Sequence, residues 1–455
     1  MTQKRRFLPP QQAKIGLVGD PGFALTACAC LLLLLMIGCG IAKGSNNSGG
    51  GGATGTPSFA TPVAIGDSLS AGFQNGSLLD SQQPHGWASL VAAQANFNLT
   101  LPLIAPPGAP AVLQLVSVGP PPVIQQASGI TSGRDNPSVQ PTDLAVPGHL
   151  LNDLINDAPS LVPTSGEDII TDLVLGFPVG NDKSQMNEAI QLNPTVLFVW
   201  IGNNDALQAD ESGTPTSMTP VATFTQEFQQ LLSTLHAQTK ASLIVANIPD
   251  VTVVPYLTPA ATILAQVAAE TGLTATQAAS ALGIQDGDLI NATGQSQVQS
   301  AVTAIKQGQT PTPLTDAGFL DAAEIAAIQS TVTQYNNVIA QQVSAVGGVL
   351  VDIHTFIGNL AQNGITINNY QATVTFLGGL FGLDGIHPTD TGYALIANEF
   401  IDTMNTSLKT TFPDLNISAI AAADPLFGPD IKPTGAAVSI PLSAARRADR
   451  IIAPR

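Results

Sequence analysis

Along the chain, short apolar runs rich in β-branched residues alternate with longer stretches whose apolar residues recur every three or four positions. The short runs fall at residues 63–65, 144–146, 196–201, 243–246 and 349–353, each apolar on successive positions, as strands buried on both faces are. Helical spacing is clearest at 224–236, where Phe224, Phe228, Leu231, Leu232 and Leu235 share one face, and it recurs at 325–343 and 391–404. This alternation over 59–408 predicts an α/β domain: a three-layer α/β/α sandwich around a parallel sheet of about five strands.

Two stretches exceed what simple crossovers need. Residues 259–314, rich in Ala, Gln and Thr, read as an insertion of small helices. Residues 82–141 carry Pro106-Pro107, Pro110 and Pro120-Pro121-Pro122, a proline density that predicts extended loop. Beyond Thr410 no period is sustained, so 409–455 is expected to be a partly disordered tail.

The first segment has a different pattern. Lys4, Arg5, Arg6 and Lys14 precede an apolar run from Phe23 to Ile37 that closes on Gly38-Cys39, the layout of a secretory signal over residues 1–38. Cys39 after Gly38 resembles a bacterial lipobox, which implies a chain exported to the cell envelope and held on a membrane by lipid at Cys39. Plain cleavage and an uncleaved membrane helix stay open. The Gly- and Ser-rich stretch 39–58 that follows has no apolar face and reads as a flexible tether.

Of 455 residues, 44% are hydrophobic and only 10% charged, enough apolar surface for a large core. The net charge of -17 excludes a nucleic-acid partner, whose phosphates need a basic footprint. All three cysteines, Cys28, Cys30 and Cys39, lie in the first segment, leaving no disulfide or thiolate metal site in the folded part. Asp286-Gly287-Asp288 with Asn291 lacks the remaining ligands of a calcium loop, and there is no His-Glu-x-x-His stretch. The expectation is chemistry without metal or cofactor.

Ser68 follows the first run in Gly66-Asp67-Ser68-Leu69, at the carboxyl end of a strand, where open α/β sheets bind ligands. Alone, such a triplet reads as a turn or helix cap. Serine needs a base, and His387 in Asp384-Gly385-Ile386-His387-Pro388 is the candidate, with Asp384 near enough to orient its ring. Acyl transfer also needs donors for the developing oxyanion. Gly148, ending Asp143-Leu144-Ala145-Val146-Pro147-Gly148, offers an unobstructed N–H, and Gly202-Asn203-Asn204-Asp205 offers an asparagine amide. Asp67 is read as a brace of the serine turn, Asp205 as a cap of the helix after it, and Trp200 as core. His149 is read as a surface residue starting a helix, and His85, His236 and His354 as structural.

These four blocks, in this order, resemble the SGNH hydrolases, also called GDSL esterases and lipases. The likeness spans about 59–408 and extends to Ile190-Gln191-Leu192-Asn193-Pro194-Thr195 and Asn247-Ile248-Pro249-Asp250, similar to the family's connecting segments. It implies a flavodoxin-like topology and a carboxylic ester hydrolase, with Ser68 as nucleophile, His387 as base, Asp384 as orienter, and the Ser68 N–H, Gly148 and Asn204 as oxyanion donors. Asp143 stands where the family's glycine block usually begins with Asn. Two substrate readings stay open: lipid or long-chain esters, with the apolar insertion 82–141 as a candidate acyl-pocket wall, and acetyl groups on polysaccharide. A surface binding protein that kept the fold and lost turnover is the alternative of a different class.

Overall fold

The computed structural model describes residues 58–431 and 433, apart from 120, 121 and 161. The expected signal, the lipidation residue Cys39, nearly all of the tether and the end of the tail lie outside the described residues. Among those described, no helix is long and apolar enough to cross a membrane.

Four parallel strands form the central sheet: β1 (Pro62–Gly66), β2 (Val196–Trp200), β3 (Ser242–Ala246) and β4 (Val349–Val351), in spatial order β1-β2-β3-β4. The expected run at 144–146 does not make a full strand. It lies along the outer side of β1 through a parallel bridge, Ala64 to Asp143, and through Leu144 N–H to the Ala64 carbonyl (2.9 Å) and Val146 N–H to the Gly66 carbonyl (3.1 Å). Pro147 and Gly148 then turn the chain away before the pairing can extend. Counted in chain order, the spatial sequence is 2-1-3-4-5, the flavodoxin-like order.

Alternation along each strand feeds two separate cores. Val63, Ile65, Leu197, Val199, Leu243 and Val245 face the helices Val221–Gln238 and Ala322–Ala345, where Phe224, Phe228, Tyr335 and Ile339 are fully buried. Ala64, Phe198, Trp200, Ile244 and Ala246 face Trp87–Ala95 and Asp390–Leu408. On that side Trp87 stacks on Phe400 at 3.8 Å between ring centroids. Each such burial contributes on the order of 1.5–3 kcal/mol, which is what holds the strand ends in fixed register.

The long helices exceed their apolar cores because capping residues extend them. Asp321 accepts from Ala323 and Glu324 N–H, and Thr389 Oγ1 accepts from Gly392 N–H. Ile353, expected at the end of a strand, begins the helix Ile353–Asn363 because Asp352 caps it.

The insertions divide differently from the sequence expectation. Residues 82–141 are not all loop: Trp87–Ala95 is a helix, since it contains no proline and its Trp87 is buried against the core. Among its described residues, 96–141 forms no helix and consists of turns and irregular chain with a hairpin, Leu113–Ser117 with Val123–Gln126. Residues 259–314 hold the helices Ala260–Thr271, Ala275–Leu282 and Ala292–Lys306 around a small core of their own. In the tail, Ile417–Ala423 is a helix, and Asp424 beyond it accepts from the Thr391 N–H (2.9 Å) and hydroxyl (2.8 Å).

Candidate active site

Ser68 sits on the turn that leaves β1 at the carboxyl edge of the sheet, and is 8% exposed. Gly66 before it has no alternative: a Cβ there would lie 2.2 Å from the Trp200 carbonyl oxygen and 2.7 Å from Ser70 Oγ. Asp67 braces the turn, one carboxylate oxygen accepting from Leu69 N–H (3.0 Å) and the other from the Asn203 amide (2.8 Å). Burial lifts its carboxyl to about 6 despite those bonds.

His387 arrives from the loop before the Asp390–Leu408 helix, more than 300 residues away in sequence. Its Nε2 lies 2.8 Å from Ser68 Oγ and its Nδ1 3.2 Å from Asp384 Oδ2. Every lone pair of Asp384 faces a donor: Oδ1 accepts from the Ile386 and His387 N–H groups (both 2.9 Å), and Oδ2 also accepts from Gly76 N–H (2.5 Å). Burial alone would raise this carboxyl, but the His387 charge and these hydrogen bonds outweigh it and hold it below the usual carboxylate value. An ionised Asp384 only accepts, so Nδ1 carries the imidazole proton and Nε2 is free to accept from the Ser68 hydroxyl. The Phe73 ring, 4.7 Å from the imidazole, closes the remaining face.

The two predicted donor blocks meet the serine turn from the other side. Gly148, at φ 88°, needs glycine, and among the described residues neither its N–H nor that of Ser68 donates to an internal acceptor. Asn204 Nδ2 donates to the His149 carbonyl (3.0 Å), which leaves its second N–H uncommitted. Asp205 does not cap its own helix. Its carboxylate reaches across to the Leu151 N–H (2.9 Å), starting the Leu151–Asn156 helix, and to the Thr219 hydroxyl (2.6 Å). The 202–205 block thus fastens the chain just after Gly148.

His149 is a correction. Expected at the surface, it is fully buried and bonded through both ring nitrogens, to Gln185 (3.0 Å) and to Thr171 (2.9 Å). Sequence reasoning missed Gln185 entirely, because its role depends on a helix 119 residues distant folding back onto Gly66. The only signal was the adjacency of His149 to Gly148. Asp286 and Asp288 take no part here, and no group of three or more His, Cys, Asp or Glu among the described residues could hold a metal.

Asp143 explains its own departure from the family pattern. Burial lifts its carboxyl to about 8, so at neutral pH it is largely a neutral acid, close to an asparagine in charge and shape. The folded state binds this proton more tightly than the unfolded chain, so the group's cost grows as pH rises from about 4 to about 8. Asp143→Asn should therefore raise the melting temperature, and by more at pH 8 than at pH 5. Thermal unfolding at both values checks this, and an equal shift at both would contradict it.

Beside Ser68, His387, Asn203 and Asn204 opens an apolar pocket whose walls are Leu69, Leu207, Val251, Val254, Ile357 and Phe381. None of residues 82–141, the insertion offered by the sequence as a candidate wall, lines this pocket.

A family profile described as GDSL-like Lipase/Acylhydrolase matches residues 63–400. A comparison with curated sequences finds no match. Among solved structures, a catalytic mutant of Axe2, an acetylxylan esterase from Geobacillus stearothermophilus, is 12% identical over 79% of this chain and 99% of that one, with a TM-score of 0.37. LAE5, an alpha/beta hydrolase enzyme from the metagenome of Lake Arreo, is 14% identical over 76% and 97%, TM-score 0.34. An extracellular lipase from Streptomyces rimosus is 13% identical over 76% and 99%, TM-score 0.32. With the profile covering most of its length, the chain belongs to the GDSL-like lipase and acylhydrolase family of hydrolases.

Proposed function

We propose that the chain is a serine esterase cleaving carboxylic esters with an apolar acyl part, by way of an acyl-serine intermediate. The observation that carries this reading is the unbroken Asp384–His387–Ser68 relay opening into an apolar pocket. In the first half-reaction Ser68 Oγ attacks the ester carbonyl as its proton passes to His387 Nε2, and the imidazolium is stabilised by Asp384. The charge formed on the carbonyl oxygen is met by the uncommitted N–H groups of Ser68, Gly148 and Asn204. His387 then protonates the departing alcohol. In the second half, water gives its proton to the same nitrogen and attacks the acyl carbonyl; the bond to Ser68 Oγ breaks as His387 returns the proton to that oxygen, releasing the acid and restoring the serine.

The pocket walls favour an acyl chain over a sugar, because they offer hydrocarbon and few hydrogen-bonding groups. A series of p-nitrophenyl esters tests this. From acetate upward, kcat/KM should rise about fourfold per methylene, the equivalent of about 0.8 kcal/mol, until the pocket is filled. A maximum at acetate would instead support removal of acetyl groups.

A further inference from the structure

We infer that His149 and Gln185 are positioning residues that lock the oxyanion-stabilising amides into one arrangement. This rests on the reading of Ser68 as nucleophile. Gln185, the first residue of the helix Gln185–Gln191, closes a two-bond ring on Gly66, two residues before Ser68: its Oε1 accepts from Gly66 N–H (2.9 Å) and its Nε2 donates to the Gly66 carbonyl (3.0 Å). The same Nε2 lies 3.0 Å from His149 Nδ1. The His149 carbonyl in turn receives the Asn204 amide, and Gly148 is its chain neighbour. The Gln185 and His149 side chains therefore tie the serine turn to the glycine turn, and the His149 main-chain carbonyl carries the tie on to Asn204.

The polarity of the network is forced. Gly66 N–H can only donate, so Gln185 must present oxygen to it; Gln185 Nε2 then has one hydrogen for the Gly66 carbonyl and one for His149 Nδ1. His149 Nδ1 must accept, so its proton sits on Nε2 and goes to Thr171 Oγ1 (2.9 Å), whose own hydrogen goes to Asp157 Oδ2 (3.2 Å). His149 Nε2 also lies 3.4 Å from Asp157 Oδ2, so its proton faces the Thr171 hydroxyl and this carboxylate together, and no donor from Gly66 to Asp157 is left unpaired. His149, Gln185 and Thr171 are all essentially inaccessible to water. A buried network costs more than an apolar core unless every member is paired, and a fully paired one fixes direction as well as distance. Here the direction fixed is that of the amides facing the oxyanion.

Three variants separate this from packing. Gln185→Glu keeps the shape and loses the N–H, Gln185→Met keeps the length and loses both polar atoms, and His149→Phe keeps a ring without nitrogens. Each should lower kcat roughly 100-fold with KM little changed, because the amides are misplaced by a fraction of an ångström to an ångström. The decisive readout is the inhibition constant of an alkylboronic acid. It adds to the Ser68 hydroxyl and places an anionic oxygen where the oxyanion forms, and its value does not depend on the fraction of protein folded. That constant should rise in step with the loss of kcat/KM. Variants that keep the wild-type boronate constant, whether active or depleted by misfolding, would overturn the inference. Ester turnover surviving in Ser68→Ala would instead overturn the reading beneath it.

Discussion

Ser68→Ala should reduce ester turnover about 10⁶-fold while leaving the fold in place. The hydroxyl makes a single hydrogen bond, to His387 Nε2, and packs at the mouth of a pocket, so its loss leaves no buried donor stranded. What disappears is the nucleophile, and with it the covalent route. The residue of activity should be the modest rate that the oxyanion donors alone give to water attack. A fluorophosphonate probe should accordingly label the wild-type chain at Ser68 and leave the variant unlabelled. Labelling of the variant to the same extent, or turnover within tenfold of wild type, would remove Ser68 from the mechanism.

The second large effect is expected at Asp384, and it follows from counting donors. All four neighbours of this carboxylate donate: the N–H groups of Gly76, Ile386 and His387, and His387 Nδ1. In Asp384→Asn one of the two acceptor atoms becomes an NH₂. Turned toward Ile386 and His387 it would oppose two backbone N–H groups, so the amide should settle with its oxygen there and its NH₂ toward the ring. Nδ1 must then accept, the imidazole proton moves to Nε2, and that nitrogen can no longer take the proton of Ser68. A loss of roughly 10⁴-fold in kcat is expected, with KM nearly unchanged. The tautomer itself is observable: the nitrogen-15 shifts of His387 should exchange between the two ring positions. An unaltered tautomer with unaltered rate would show that Asp384 only holds the loop.

Both predictions use residues legible in the sequence alone, and the reason is chemical. A nucleophile turn must follow a strand, so Gly66-Asp67-Ser68 carries its context in the apolar residues 63–65 before it. Asp384 and His387 are near neighbours in sequence, and the loop between them needs only Gly385, at φ 73°, to bring carboxylate and ring together. Short-range constraints of this kind are written locally. The helices at 221–238, 322–345 and 390–408 were legible for the same reason, since each apolar stripe repeats within its own segment.

The misreadings share the opposite property. His149 looks like any histidine at the head of a helix until the Gln185 helix and Thr171 close over it. Asp205 looks like a cap for its own helix, and its partner Leu151 lies 54 residues earlier. The apolar insertion 82–141 is a candidate wall because it precedes Gly148 in sequence, whereas Val251, Val254, Ile357 and Phe381 come from three separate stretches without any motif.

By itself, then, the amino-acid sequence determined the strand and helix alternation, the candidate pair Ser68 and His387, and the hydrolase family, because hydrophobic period and short motifs act over a few residues. Only the tertiary structure decided which side chains line the pocket, which carboxyls burial raises, and how Gly148 and Asn204 are held. Those properties depend on burial and on hydrogen-bond partners drawn from distant segments, and such proximity exists only once the sheet and its two helical layers have packed.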